Sequence, residues 1–281
     1  MSAMQMEELL LIVGPYITKQ FVVREPIPPN ERLALTLRYL ASGDYMQSIS
    51  QKFYVSGPTV SNIVYQTCQA IWAVLQPLVL PANIPTEESL KIARGFQDTW
   101  QFPNCIGAID GKHVRIQCPP NAGSQNFNYK GYHSIVLLAV CDANYLIRCV
   151  DIGAYGRRSD GGIFSDCVFG QKFESNDMNV PEPAPISTQR PTPLPYCLVG
   201  DEAFPAKSYM QRPYPKQNLE IRQCIYNYRL SCARRTIENT FGILVNTWRV
   251  YHQAINASGR TTIEIVKTTV CLHNWLRKQD P

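Results

Sequence analysis

Three carboxylates stand where apolar chain should exclude them. Asp110 interrupts the run CIGAIDGKHVRI, Asp201 follows directly on the short apolar stretch YCLVG, and Glu238 is flanked by Ile237 and Phe241 in a strongly helical segment. Burial disfavours the charged form of an isolated carboxylate, so such a group needs compensation. A shared cation would supply it. Hard divalent ions such as Mg²⁺ or Mn²⁺ take oxygen ligands, commonly one or two carboxylates each together with water and substrate phosphate. Two of them on an Asp-Asp-Glu set can activate a water or hydroxyl on one side of a phosphodiester and stabilise the leaving oxygen on the other. Each acid also has a purely structural alternative: Asp201 as a helix cap, Asp110 as a turn residue before Gly111, and Glu238 paired with Arg234 one turn earlier. The order strand Asp, strand-end Asp, helix Glu is what favours the joint reading. Among the competing acids, Asp142 reads as a turn former and Glu202 neighbours Asp201. Asp151 and Asp160 flank the glycine-rich DIGAYGRRSDGG. That stretch is not a dinucleotide fingerprint, because only Gly153 and Gly156 precede Arg157 and no strand-to-helix register fits.

The elements that must position these acids are legible as hydrophobic periodicity. Residues 105–117 alternate as a strand around Asp110, 133–141 (HSIVLLAVC) read as a fully buried strand, and 145–151 as a third after a turn at 142–144, giving a three-strand meander. A short helix is expected over 159–169, a buried strand over 196–200, a strong helix over 231–250 and a closing helix over 262–278. Six prolines at 181, 183, 185, 191, 193 and 195 mark residues 174–195 as a surface loop insertion. Upstream, Asn30 is placed as the cap of a helix that Gly43 stops. A short helix follows over 44–53, and a third begins at Ser56-Gly57-Pro58. That grouping is a helix-turn-helix pattern. Between Lys52 and Lys91 there is no Lys or Arg, so packing or subunit contact outweighs major-groove reading as its expected role.

Length and composition narrow the classes. The chain has 281 residues, 45% of them apolar and 17% charged, which describes a folded protein of one large domain or a medium domain with a small companion. The formal charge of +5 is mild but uneven. Residues 1–200 hold 15 basic and 16 acidic groups, whereas 201–281 hold 12 basic and 6 acidic, so the positive excess lies where a polyanion would be met. Ten scattered cysteines without CxxC spacing imply a reducing compartment and argue against structural zinc. The longest apolar run, 71–80, falls short of the roughly 20 residues of a membrane helix, so no membrane association is expected. The first residues lack the features of a signal or transit peptide.

The motifs GAIDGKHVRI (107–116), FNYKGYHSIVLLAVCDANY (127–145), DIGAYGRRSDGGIF (151–164), VGDEAFPAKSYMQRPYP (199–215), NYRLSCARRTIENTFGIL (227–244) and CLHNWLR (271–277) follow one another in order. Together they resemble the nuclease domain of the PIF/Harbinger transposase family. This branch of the DDE superfamily includes domesticated Harbinger-derived nucleases and plant ALP1-like proteins. The resemblance implies an α/β, RNase H-like mixed sheet flanked by helices over 91–281, preceded by a small helical, helix-turn-helix-like region over 1–90. It places the family's catalytic and metal-binding acids on Asp110, Asp201 and Glu238, 91 and then 37 positions apart. It implies two divalent cations, Mg²⁺ or Mn²⁺, cleavage of DNA to leave a 3′-hydroxyl, and strand transfer in an intact transposase. It also implies a nuclear location and a separate Myb/SANT-like DNA-binding partner. Lys130, Arg234 and Arg235 are the candidates for holding the DNA backbone, with solvated surface charge as the alternative for each. Cys232 departs from the family, which usually carries a basic residue in that run. A homo-oligomer is left open. The rival expectation is a domesticated DNA-binding or scaffold protein that retains the fold and acts through its partner.

Overall fold

The computed structural model describes residues 1–20, 25–118, 123–187 and 189–279. Five helices come first: α1 (Ala3–Ile17), α2 (Pro29–Ser42), α3 (Met46–Phe53), α4 (Gly57–Val79) and α5 (Thr86–Trp100). Their ends follow local chemistry. Ser2 and Gln5 form a reciprocal capping box at the start of α1. Gly43 ends α2 in the left-handed region at φ 69°, where a Cβ would also meet the backbone carbonyl of Arg249. Asn30 is not the cap of α2. Pro28 holds that position and Pro29 the first turn, where the missing N–H leaves no donor unpaired. Helices α1 and α5 lie where the motif reading places no element.

The second part is built on one sheet. β1 (Cys105–Arg115), β2 (Ser134–Cys141) and β3 (Ile147–Tyr155) form the expected antiparallel meander, followed by the short helices α6 (Asp160–Asp166) and α7 (Val168–Glu174). These two replace the single helix expected over 159–169: Ser159 caps the first and the Sγ of Cys167 accepts from Gly170 to cap the second. The Pro-rich insertion is not all loop. Excepting Thr188, which is outside the described residues, it contains β4 (Ala184–Ser187) paired antiparallel with β5 (Arg190–Leu194). In a two-stranded sheet, proline can occupy positions whose missing N–H faces solvent. Asn104 anchors the hairpin by donating to the carbonyls of Ala184 and Leu194, each at 3.0 Å. β6 (Cys197–Val199) then runs parallel to β1, and β7 (Met210–Gln211) parallel to β6. The order β3-β2-β1-β6-β7, with α8 (Ile221–Thr247) and α9 (Gly259–Gln279) completing the chain, is the RNase H-like mixed sheet flanked by helices.

Alternation along β2 divides the core. Ile135, Leu137, Ala139 and Cys141 join the apolar cluster with α8 and α9, whereas Val136, Leu138 and Val140 pack with Ile163, Phe164 and Phe173 from α6 and α7. The first cluster continues without a break into Leu9, Leu33, Ile63 and Ile71 of the N-terminal helices. Polar bonds cross the same contact. Thr268 on α9 donates to the Cys68 carbonyl at 3.0 Å. The fully buried Asn274 donates to the Val79 carbonyl at 3.0 Å and the Ile147 carbonyl at 2.7 Å, and accepts from the Ile147 N–H at 2.8 Å. Among the described residues, no helix is long and apolar enough to cross a membrane.

Candidate active site

β1 is the central strand, and Asp110 sits at the point along it where full burial gives way to partial burial. It shares a face with Ala108, which packs in the cluster with α8, while Ile109 and Gly111 face α6. β6 pairs in parallel with Ala108 opposite Val199. Asp201 follows two residues after that strand ends, close enough for its charge to act on Asp110. The glycine between Val199 and Asp201 is crowded, with Phe204 and Ile109 against the position of any added Cβ. The Asp201 carboxylate accepts from the Ala203 N–H at 2.9 Å and so caps the turn after the strand.

A fourth acid enters from the other side. Asp160, the first residue of α6, lies with its carboxylate against Gly111, where a Cβ would overlap it. No residue among those described donates a hydrogen bond to that carboxylate. Burial, and after it the charge of Asp201, push Asp160 up to about 6 against the opposing pull of Lys130. Asp110 is also pushed up to about 6, chiefly by burial and then by Asp160 and Asp201, against the opposing pull of the Gly111 N–H and the Arg234 guanidinium. Three aspartates therefore repel one another across the end of the β1–β6 pair. Oxygen donors of this kind suit a hard divalent cation.

Glu238 stands differently. The 100° step of a helix turns it away from the buried Ile237, and its side chain is 53% exposed. It accepts from Arg234 one turn earlier at 2.7 Å. The structural alternative weighed for Glu238 is therefore the contact observed, while the same guanidinium draws on Asp110. As arranged, no three Asp, Glu, His or Cys side chains among the described residues stand close enough to enclose a metal. The donor chemistry nevertheless fits such an ion on the Asp110, Asp160 and Asp201 side, while Glu238 is paired with Arg234.

The basic candidates spread around this centre. Lys130 is exposed in the loop before β2, with its ammonium 5.4 Å from the centre of the Tyr129 ring, and it acts electrostatically on Asp160, Lys112 and His113. Arg234 is committed to Glu238, and Arg235 is exposed on α8 without an ion pair among the described residues. Lys112 reaches the Phe241 ring on α8 at 5.9 Å, and its pKa is lowered chiefly by burial. Asp142 is a turn former as expected, accepting from the N–H groups of Asn144 and Leu146. Asp160 is the residue that local motif reading passes over. Its signal was non-local: Gly111 directly after Asp110 leaves room for another side chain.

A family model described as DDE superfamily endonuclease matches residues 109–274, a span containing all four acids. Among curated proteins, the chain is 26% identical over 253 residues to Protein ALP1-like of Arabidopsis thaliana, covering 89% of this chain and 61% of that protein. It is 23% identical over 272 residues to HARBI1 of Bos taurus, named as a nuclease whose activity is not established, covering 95% and 72% of the two chains. It is 24% identical over 254 residues to the Arabidopsis protein named Antagonist of Like Heterochromatin Protein 1, covering 87% of this chain. The chain thus spans less than two thirds of the length of these plant relatives. No solved structure matches it significantly.

Proposed function

The chain belongs to the DDE superfamily endonucleases, and from that membership we propose that it is a divalent-metal-dependent DNA nuclease of Harbinger transposase type. The observation that carries this reading is the approach of three aspartates: Asp201, just past β6, and Asp160, whose carboxylate lies against Gly111, both act on Asp110 in β1. Asp110 and Asp201 would hold the cations, Asp160 would support them from the α6 side, and Glu238 would complete the set on leaving Arg234. When bound, Mg²⁺ or Mn²⁺ supplies a polarised water and a stabilised leaving oxygen at the phosphodiester.

The chain's own groups do the rest. The carboxylates would bind the ions only when deprotonated, and burial raises Asp110 and Asp160 to about 6, so bound cations would favour the charged form of these two. Lys130 and Arg235 would hold the phosphates on either side, and Arg234 would turn from Glu238 to the DNA backbone. The product would carry a 3′-hydroxyl that strand transfer could use in the same site. A nuclease acting on DNA would work in the nucleus, where a Myb/SANT-like partner would supply the sequence recognition that the uncharged α4 does not offer.

The Arg234–Glu238 pair and the absence of an enclosed metal site among the described residues favour one rival, a scaffold that keeps the fold without the chemistry. Incubation of supercoiled plasmid and of transposon-end duplex with Mg²⁺ or Mn²⁺ separates the two. Nicking by the wild-type chain that is lost in Asp110→Ala supports the nuclease. Nicking undiminished in the variant, or none by either protein, overturns it.

A further inference from the structure

The loop before β2 presents aromatic rings to solvent in a way that the cleavage reading leaves unused. From residue 126 its side chains alternate. Asn126 and Asn128 are buried, while Phe127 is 47% exposed and Tyr129 is 83% exposed. The buried asparagines brace the backbone. Asn128 donates to the Ser134 hydroxyl at 2.8 Å and accepts from the N–H groups of Lys130 and Tyr132 at 3.0 and 3.3 Å. The Asn126 carbonyl accepts from the Ser134 N–H at 2.8 Å. Ser134 in turn bonds Nδ1 of His113, three residues beyond Asp110 on β1. The rings are thus fixed to the catalytic strand rather than hung on a loose loop.

Each exposed ring stands on a second ring. Tyr129 meets His113 edge-on at 5.5 Å, and Phe127 meets His133 at 5.4 Å. Positive charge is interleaved: Lys130 lies over Tyr129, Arg115 lies over Tyr132 at 4.8 Å, and the exposed Arg157 is tied to the loop by its backbone N–H, which donates to the Gln125 carbonyl. Lys130 is also close enough to act on Asp160, so the patch is continuous with the acidic site. Large rings held rigid and exposed beside cations suit one ligand chemistry. Unpaired bases stack on aromatic faces while Lys and Arg track the phosphates, whereas in an intact duplex the base faces are already stacked on one another.

We propose that residues 123–133 are a base-stacking platform, on which Tyr129 and Phe127 take unpaired bases of the DNA strand next to the phosphate presented to Asp110. This rests on the nuclease reading for the identity of the strand, but binding can be measured without metal. The full chain in EDTA is titrated into labelled single-stranded DNA and into blunt duplex of the same sequence, read by fluorescence anisotropy. A parallel titration uses single strands carrying 2-aminopurine, whose emission is quenched by stacking. Tyr129→Ala is expected to weaken single-strand binding about tenfold and to lose the quenching, with duplex affinity changed by less than about twofold. Tyr129→Trp should keep both. Equal weakening on single strand and duplex, unchanged single-strand affinity, or quenching intact in Tyr129→Ala overturns the platform. So does a Tyr129→Ala effect confined to self-association in sedimentation, which would make the patch an interface between copies. Absence of cleavage by the wild-type chain, with stacking intact, would instead count against the nuclease reading alone.

Discussion

Gly111 and Asp160 share one space: a Cβ on the glycine would occupy the position of the aspartate carboxylate. Gly111→Ala therefore has a defined consequence. The extended backbone accepts alanine, so the strand is retained at a cost of about 1 to 2 kcal/mol while the Asp160 carboxylate is displaced. Mn²⁺ affinity should fall at least about tenfold in this variant and in Asp160→Asn, a ligand loss read by calorimetry. Asp160→Asn should also raise the melting temperature of the metal-free protein by a few degrees, because one of three mutually repelling charges is gone. Unchanged Mn²⁺ affinity in both variants would remove Asp160 from the site.

Glu238 offers a separation of stability from chemistry. Its pairing with Arg234 is a half-exposed i,i+4 contact, the kind that contributes about 0.3 to 0.5 kcal/mol. Glu238→Gln should thus leave chemical denaturation within about 0.5 kcal/mol of wild type while lowering cleavage roughly a hundredfold, the scale of a misplaced reacting group. A variant that cuts as fast as wild type would leave the ion pair as the whole role of Glu238.

Asp110 and Asp160 set the expected pH dependence. Both are raised from an ordinary 3.8 to about 6. The raised folded values mean that their contribution favours the folded state at low pH and is lost as pH rises from about 4 through about 6. Without metal, the melting temperature of wild type should therefore decline across that window relative to the Asp110→Asn/Asp160→Asn double variant. Metal affinity runs the other way and strengthens through pH 6, since binding needs both groups charged. Melting temperatures that run parallel with pH in the two proteins would contradict the raised pKa values of Asp110 and Asp160.

Asn274 joins the N-terminal helices to the sheet through its bonds to Val79 and Ile147. Asn274→Leu would strand two buried carbonyls and one N–H, at about 2 to 4 kcal/mol. Urea denaturation should register that loss while metal affinity below the transition stays at the wild-type value. A change in metal binding with stability intact would mean that the clamp acts on the acids.

The sheet was legible because β2 carries apolar residues on both faces and the apolar run of β6 stops just before Gly200 and Asp201, so burial and strand length coincide with local pattern. The β4–β5 hairpin was not legible, since its prolines read as loop until a two-stranded sheet gives them free edges. The start of α8 was hidden for another reason: Ile221, Ile225 and Tyr228 are exposed there, so the helix shows no inward stripe before Leu230. The strand positions of Asp110 and Asp201 followed from the chain's own punctuation. Asp160 did not, because its approach depends on a side chain missing from Gly111, and Glu238 is exposed because the helical step turns it away from the buried Ile237.

Asp110 in β1 and Asp201 just past β6 are proposed to hold the divalent cations. Isothermal titration of the metal-free chain with Mn²⁺ tests this directly. Binding by wild type at pH 7.5 that is abolished in both Asp110→Asn and Asp201→Asn is the predicted result. Binding by both variants at wild-type affinity, or none by the folded wild-type chain, would contradict it.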